Sequence, residues 1–293
     1  MKQRQKDLCT AYLFLLPAVI LLLVLILYPL VRSIHLSFLN ASFVNRNPQF
    51  VGLKNYIKIF ESGLFWKVLK NSVIWTVVVV GFQFFFGLTF ALFLNKIVIA
   101  RNLFRSLLLV PWVVPGVIVG VIWKIMYNPQ VGLVNALLLK FGIIADYTAF
   151  LADERTALLA VIVVAVWKGF PFSVVIYLAA LQSVRVDLLD AAMIDGANFL
   201  QRLRYVIIPE ITEIIRITLL LTTIWTFNYF DIIYAMTNGG PNKATQIFPL
   251  EIYEQAFRQF RFSYAAAIAV IALLGILFVS LFYVRELRKR EAL

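Results

Sequence analysis

Long apolar stretches constrain the fold of this chain more than any other feature. A helix that crosses a membrane needs about 20 mostly apolar residues. Six stretches meet this length, roughly Ala11–Val31, Ser72–Leu94, Leu103–Tyr127, Ala157–Leu181, Ile217–Met236 and Ala265–Val284. Only 14% of the residues are charged and 62% are hydrophobic, which leaves too little charge to cover a water-soluble core. The sequence therefore predicts an all-α, polytopic membrane protein with six transmembrane helices.

The first stretch, which follows MKQRQKD, could be mistaken for a signal peptide. Its apolar run is longer than a signal-peptide core, and no small-x-small cleavage site follows it. We expect it to be a retained helix.

The rarity of reactive side chains excludes most enzyme chemistry. The chain has one cysteine, Cys9, and one histidine, His35. A zinc site of Cys and His ligands needs three or four such groups, and no phosphate-binding loop or dinucleotide fingerprint is present. Asp231 is the only carboxylate well inside a predicted span and has no carboxylate partner there, so an acid–base pair is not expected. We predict no catalytic residues, no metal site and no ATPase site in this chain.

The net charge of +12 matches a membrane protein better than a nucleic-acid-binding protein. Lys and Arg are denser in the N-terminus, in the segments 95–105 and 182–210, and in the tail than in the longer segments 33–71, 128–156 and 237–264. Cytoplasmic loops carry such an excess. The pattern predicts that both termini are cytoplasmic, and no nucleic-acid partner is expected.

The first outer loop has helical spacing, because Tyr56, Ile57, Phe60 and Leu64 fall at positions i, i+1, i+4 and i+8. Two interpretations fit equally well. The segment is an amphipathic helix on the membrane surface, or a lid or docking surface for an outside partner.

Polar groups inside the predicted spans need a reason, because burying a charge in a bilayer costs about 2.5–3.5 kcal/mol on insertion scales. Lys168 lies mid-span in VVAVWKGFPF, and we expect it to face a water-filled cavity or a partner subunit. The Gly–Phe–Pro sequence after it predicts a break in this helix. Asn228 and Asp231 share a face with Trp225. This face could bond neighbouring helices together or line an aromatic solute pocket. Because Lys168 and Asp231 lie at different depths, a direct pair is not expected.

The inner loop between the fourth and fifth stretches predicts two short helices. Asp187 and Asp190 suit a helix start, and Gly196 suits a stop. We expect one helix over Val186–Asp195 and a second helical piece from Phe199 to a kink at Pro209. The first helix carries apolar residues that either this chain or a soluble partner must cover: Leu188, Leu189, Ala192 and Met193.

This loop also resembles a known family. Asp190 to Ala197 reads DAAMIDGA, with Ile208–Pro209 eleven positions later. It is similar to the EAA loop of binding-protein-dependent ABC importer permeases, with Asp190 in place of Glu. Three further stretches resemble the carbohydrate-uptake branch (the maltose and multiple-sugar type): YLFLLPAVILLLVLILYPLVRSIHLSF, FVGLKNY and TNGGPNKAT. Leu203 and Glu213 depart from the usual pattern.

The resemblance implies a type I ABC importer permease fold in a prokaryotic plasma (inner) membrane. It implies as partners a second homologous six-span permease subunit, two cytoplasmic ATP-binding subunits, an extracellular or periplasmic solute-binding protein and membrane lipid. ATP and Mg would be bound by the partner ATPase, so no cofactor is expected in this chain. The implied coupling residues are Asp190, Ala191, Ala192, Asp195, Gly196 and Ala197. The predicted path for a sugar or oligosaccharide comprises Trp167, Lys168, Gly169, Phe172, Trp225, Asn228 and Asp231.

The predicted organisation has three parts. Residues 1–70 hold the first helix and the outer amphipathic loop, 71–285 form the permease domain with the coupling loop 185–210, and 286–293 form a basic cytoplasmic tail. Two alternatives remain. An ion-gradient-driven secondary transporter could use Asp231, but this alternative would leave the inner loop unexplained. A membrane enzyme is the second alternative, and it is disfavoured because the chain is short of His, Cys and paired acids.

Overall fold

The computed structural model describes residues 2–45, 47–96 and 101–291 and is almost entirely helical. Helix makes up 76% of the chain. Within the described residues the only β pairing is an isolated bridge between Leu39 and Phe50. The all-α prediction is confirmed.

The helices are α1 (Lys2–Leu22), α2 (Tyr28–Ser37), α3 (Lys54–Glu61), α4 (Gly63–Lys96), α5 (Arg101–Val113), α6 (Gly116–Met126), α7 (Leu133–Lys140), α8 (Ala157–Gln182), α9 (Val186–Ile194), α10 (Phe199–Arg202), α11 (Ile208–Phe227), α12 (Asp231–Met236), α13 (Phe248–Tyr253) and α14 (Phe262–Glu291).

Three π-helical turns continue these helices without a gap. Leu23–Leu27 joins α1 to α2, Leu203–Ile207 joins α10 to α11, and Glu254–Arg258 follows α13. The helical path therefore does not stop at Pro209. Proline lacks an N–H donor and is tolerated in the first turn of a helix, and Pro209 lies there in α11.

Four described helices are long and apolar enough to span a membrane: Tyr12–Ser37, Gly63–Lys96, Ala157–Gln182 and Phe262–Arg285. A fifth span results if Leu103–Val113 and Gly116–Met126, which meet at 92°, are counted together. The predicted count of six is not confirmed. The predicted span Ile217–Met236 is divided between α11 and α12, because residues 228–230 interrupt the helix.

The chain divides into two compact units, of which one comprises residues 66–250 and the chain from 275 onward. Its core has two buried clusters. The first joins Trp75 of α4 and Val164 of α8 to Ile232 and Ile233 of α12. The second joins Leu94 of α4 and Leu178 of α8 to residues of α11. Helix α8 contributes to both clusters and is the central helix of this unit.

The other unit comprises the chain up to residue 65 together with residues 251–274. The first outer loop is helical here, as its spacing predicts. Ile59 of α3 is fully buried, and the Tyr56 hydroxyl lies 2.6 Å from Ser37 Oγ at the end of α2. Ile57 and Phe60 remain exposed. The choice between a membrane-surface helix and a docking surface stays open.

Candidate functional site

A break between α5 and α6 is the feature around which the candidate site is built. Val114 and Pro115 separate the two helices, and proline at positions 111 and 115 with Gly116 marks the break in the sequence. A helix end leaves backbone carbonyls or N–H groups without helical partners. The end of α5 therefore carries partial negative charge and the start of α6 partial positive charge.

Lys168 meets the end of α5. Its Nζ atom donates a hydrogen bond to the Trp112 carbonyl oxygen at 3.0 Å, and its side chain is buried. A cation at a helix C-terminus is stabilised by the partial charge there. Within this chain, the Trp112 carbonyl at the end of α5 is thus a hydrogen-bond partner of Lys168.

Asp231 meets the start of α6. It is the first residue of α12, and its carboxylate lies so close to Gly116 that an added Cβ there would approach Oδ2 to 1.7 Å. Its Oδ1 accepts the Ile232 N–H at 3.0 Å. Lys168 and Asp231 form no ion pair with each other in the part of the chain that the structure describes. The two charges instead lie at opposite ends of the same break.

A cavity of about 600 Å³ opens beside this break, between the end of α5, the end of α11 and the start of α12. Its walls are mostly aromatic, with Asn228 and Asp231 as polar groups. The Phe172 ring stacks on Trp112 with centroids 5.8 Å apart and meets Trp225 edge-on at 4.9 Å. Trp225 is 48% exposed. Flat apolar surfaces with a few polar groups suit a sugar ring, which has C–H faces and hydroxyl edges.

The structure brings four of the seven predicted path residues to this cavity. Trp225, Asn228 and Asp231 line it, and Phe172 supports its aromatic wall. Lys168 lies behind Trp112. Trp167 instead packs against Trp123, with centroids 5.4 Å apart.

Gly169 has a packing role in this structure. A Cβ at this position would lie 2.0 Å from Gln83 Nε2, and that nitrogen donates to the Ala165 carbonyl. Gly169 therefore permits close approach of α8 and α4. The predicted break at Gly–Phe–Pro is absent, because α8 is continuous through Pro171 and is packed into a buried cluster on either side of it.

Sequence reasoning missed four residues that line the cavity, Trp112, Ile224, Tyr229 and Phe230. The Pro-rich stretch LLLVPWVVPG at positions 107–116 was the available signal for Trp112. Tyr229 and Phe230 lie in the interruption between α11 and α12. Asn228 and Asp231 were predicted to share one helical face. In the structure Asn228 lies in the interruption and Asp231 begins the helix that follows it.

The loop that follows α12 holds the site in place. Thr245 Oγ1 donates to the Gly240 carbonyl at 2.9 Å and lies 2.7 Å from Thr237 Oγ1. Lys67 Nζ of α4 donates to the Asn242 carbonyl at 2.6 Å. This segment includes the TNGGPNKAT motif and a cis Gly240–Pro241 bond. These contacts join α12, and with it Asp231, to the start of α4.

The inner loop forms a second candidate site. Gly196 has φ +79°, its N–H donates to the Met193 carbonyl, and the Ala197 N–H donates to the Ala192 carbonyl. This pair of bonds is the Schellman motif that ends many helices. One residue later Asn198 and Gln201 form a reciprocal capping box. The predicted stop at Gly196 and start at Phe199 are therefore both present.

The first helix of this loop has two different apolar surfaces. Leu189 packs against the second buried cluster of its own chain. Val186, Met193 and Ile194 are exposed, Ile194 by 87%. This chain thus covers part of the helix and leaves the rest uncovered. Of the six predicted coupling residues, Ala192 and Ala197 are half-buried and the other four are exposed.

Comparison with known proteins identifies the family to which this chain belongs. Residues 83–291 match the family described as the inner membrane component of binding-protein-dependent transport systems. The chain is 31% identical over 291 residues to the trehalose/maltose transport system permease protein of Thermococcus litoralis, covering 99% of this chain and 97% of that one. It is 30% identical over 286 residues to the sulfoquinovosyl glycerol transport system permease protein of Agrobacterium fabrum, covering 97% and 92%.

The fold is also similar to a solved structure. A chain from a bacterial ABC transporter involved in import of the acidic polysaccharide alginate matches with a TM-score of 0.84 and 23% identity, over 98% of each chain. At this identity the likeness concerns the fold, which is that of type I ABC permeases.

Proposed function

The chain belongs to the family of inner-membrane components of binding-protein-dependent transport systems, the permease subunits of ABC importers, and we propose that it forms half of the translocation path for a sugar or oligosaccharide. The observation that carries this proposal is the aromatic cavity with Asn228 and Asp231 at the broken helix. The transport of trehalose and maltose named for one relative supports a carbohydrate solute.

Coupling to ATP hydrolysis is assigned to the inner loop. The exposed apolar side chains of Val186, Met193 and Ile194 need a partner surface that excludes water. The Schellman motif and the capping box fix the shape of the loop without help from that partner. A cytoplasmic ATP-binding subunit that receives this preformed loop would transmit its closure to α8 and α11.

The proposed assembly contains a second homologous permease subunit, two ATP-binding subunits that hold ATP and Mg, and an extracellular or periplasmic solute-binding protein. This chain would contribute no ATPase site. Its termini would lie in the cytoplasm, as the distribution of Lys and Arg predicts.

Affinity purification from native membranes tests the assembly. We expect mass spectrometry to identify an ATP-binding subunit and a second permease with this chain. Recovery of the chain alone from well-preserved membranes, together with uptake driven by an ion gradient, would instead support a secondary transporter.

Truncation of the Trp225 side chain tests whether the cavity is part of the solute path. Trp225→Ala should reduce solute uptake by the assembled importer at least tenfold, because it removes an aromatic wall of the cavity. Phe278→Ala is the control, since Phe278 is a 76% exposed aromatic residue of α14 away from the cavity. Equal uptake by both variants would remove Trp225 from the path.

A further inference from the structure

We infer that Asp231 makes the translocation path selective by charge, so that it admits uncharged sugars and disfavours sugars that carry carboxylate, sulfonate or phosphate groups. This inference rests on the proposed function and adds the substrate class. It concerns the one charged side chain that lines the cavity, Asp231, and a nearby cation, Lys168, that is not part of the lining.

The walls of the cavity are unfavourable to anions. Asp231 is the only residue with a carboxylate or cationic side chain among those that line it. The other walls are largely aromatic, and the faces of aromatic rings carry negative charge density. An anionic group that entered would meet a carboxylate and ring faces, and the ammonium group of Lys168 is not among the groups that line the cavity.

Lys168 cannot supply that cation without structural cost. Its ammonium group donates to the Trp112 carbonyl, and only 9% of the residue is exposed. To reach a solute anion, it would have to break this bond. The carbonyl at the end of α5 would then lose the donor of a part-buried hydrogen bond, which costs free energy.

The Asp231 carboxylate is held rigidly at the wall. Its Oδ1 accepts the Ile232 N–H, and Gly116 packs against Oδ2 and Cγ. Below Asp231, a Cβ on Gly120 would lie 2.7 Å from the Ala235 Cβ, so α12 lies directly against α6. This hydrogen bond and this packing oppose rotation of the carboxylate away from an incoming anion. At roughly 5 Å, and at the effective dielectric constant of a protein surface, repulsion between two unit charges corresponds to well over tenfold discrimination.

The relationship to the alginate transporter does not oppose this inference. That structure concerns an acidic polysaccharide, but 23% identity conveys the fold and not the charge of the path. The sulfoquinovosyl glycerol permease, at 30% identity, is likewise named for a sugar that carries a sulfonate group. The inference therefore requires that both proteins differ from this chain at this wall.

Collisional quenching of Trp225 fluorescence tests the charge of the cavity without any solute. The full-length chain is purified in detergent and titrated with iodide, caesium and acrylamide. Subtraction of the Trp225→Phe signal isolates the contribution of Trp225. We expect caesium to quench this contribution at least threefold more efficiently than iodide, and acrylamide to reach it freely.

Asp231→Asn is the matched variant, because the amide has the same shape and leaves the packing against Gly116 unchanged. It should raise iodide quenching of Trp225 at least threefold and leave acrylamide quenching unaltered. Asp146→Asn, which removes an exposed carboxylate of the loop after α7, controls for the change in net charge and should have no effect.

Three results would overturn the inference. They are equal quenching by iodide and caesium in the unmodified chain, no change in Asp231→Asn, and a Trp225 contribution that acrylamide does not reach. The proposed function is tested separately by uptake through the assembled importer. A neutral response in the quenching experiment therefore removes the charge selectivity and leaves the transport assignment standing.

Discussion

The contact between Gly116 and Asp231 shows how closely single residues are fitted around the broken helix. An added methyl group at Gly116 would overlap the carboxylate of Asp231, whereas Gly81 in α4 has no atom within 4 Å of such a group. Both glycines lie in helices, and the sequence around neither of them reveals a contact with Asp231. Only the fold distinguishes a glycine required by packing from one that is not.

We therefore predict that Gly116→Ala destabilises the chain, whereas Gly81→Ala does not. Overpacking of a tight site costs about 1–3 kcal/mol, because α12 would have to move away from α6. Thermal unfolding in detergent, followed by tryptophan fluorescence, should show a Tm several degrees lower for Gly116→Ala. A Tm equal to that of Gly81→Ala would show that Asp231 is free to move.

The bond between Lys168 and Trp112 leads to a second prediction. Lys168→Met retains most of the volume of the side chain but leaves the Trp112 carbonyl without its donor. This bond is part-buried, so the loss of its donor should cost about 1 kcal/mol, at the lower end of the range for buried groups. We expect a lower Tm for Lys168→Met and little change for Lys124→Met, because Lys124 is exposed. If both variants unfold at the same temperature, the hydrogen bond does not stabilise the end of α5.

Helix boundaries in this chain were predictable where the signal is local. The end of α9 depends on Gly196 and on hydrogen bonds within six residues of it, so the sequence was sufficient. The break between α5 and α6 was missed, because apolar residues continue across Pro115 and a hydropathy window records no interruption. Proline alone does not decide the outcome, since α8 is continuous through Pro171.

The same limit applies to the predicted cavity. Trp225, Asn228 and Asp231 were predicted together because they are neighbours in the sequence. Trp112 was not predicted, because it is positioned by Lys168, which lies 56 residues away. Trp167, although adjacent to Lys168, is turned towards Trp123. Contacts between distant elements therefore decide which of the predicted residues lie at the cavity and which pack elsewhere.

The left-handed conformation of Gly196 gives a prediction for the inner loop. Gly196→Ala places a Cβ at φ +79°, which costs about 1–2 kcal/mol and weakens the Schellman motif. Gly196→Asn should retain more of the loop, because asparagine tolerates this conformation. We expect co-purification of the ATP-binding subunit to fall for the Ala variant and to recover in part for Asn. Gly196→Trp should abolish it without preventing membrane insertion.

A matched control separates backbone strain from the position of the loop. Gly142 also has positive φ, at +67°, and also has open space around it. It lies in the loop after α7. Gly142→Ala should therefore impose similar strain and leave co-purification of the ATP-binding subunit unchanged. Loss of that subunit in both variants would trace the effect to general instability of the chain.

Hydropathy alone does not predict where the helices near the predicted fifth span begin and end. Helix α11 carries Glu210, Glu213 and Arg216 near its start, and the three residues 228–230 separate it from α12. One continuous span was predicted over Ile217–Met236, whereas α11 begins earlier, at Ile208, and ends at Phe227. The prediction that both termini lie on one side therefore depends on the charge distribution of the loops and needs its own test.

The lone cysteine makes this test simple, because Cys9→Ser alone gives a cysteine-free chain. In that background, Gln3→Cys places a thiol in the N-terminal segment, and Tyr147→Cys places one at a 63% exposed position in the loop between α7 and α8. If Lys and Arg set the orientation, the N-terminus is cytoplasmic and this loop faces outwards. A membrane-impermeant maleimide added to intact cells should label Tyr147→Cys at once and label Gln3→Cys only after permeabilisation. The reverse pattern would invert the orientation and place the exposed surface of α9 outside, where no ATP-binding subunit could reach it.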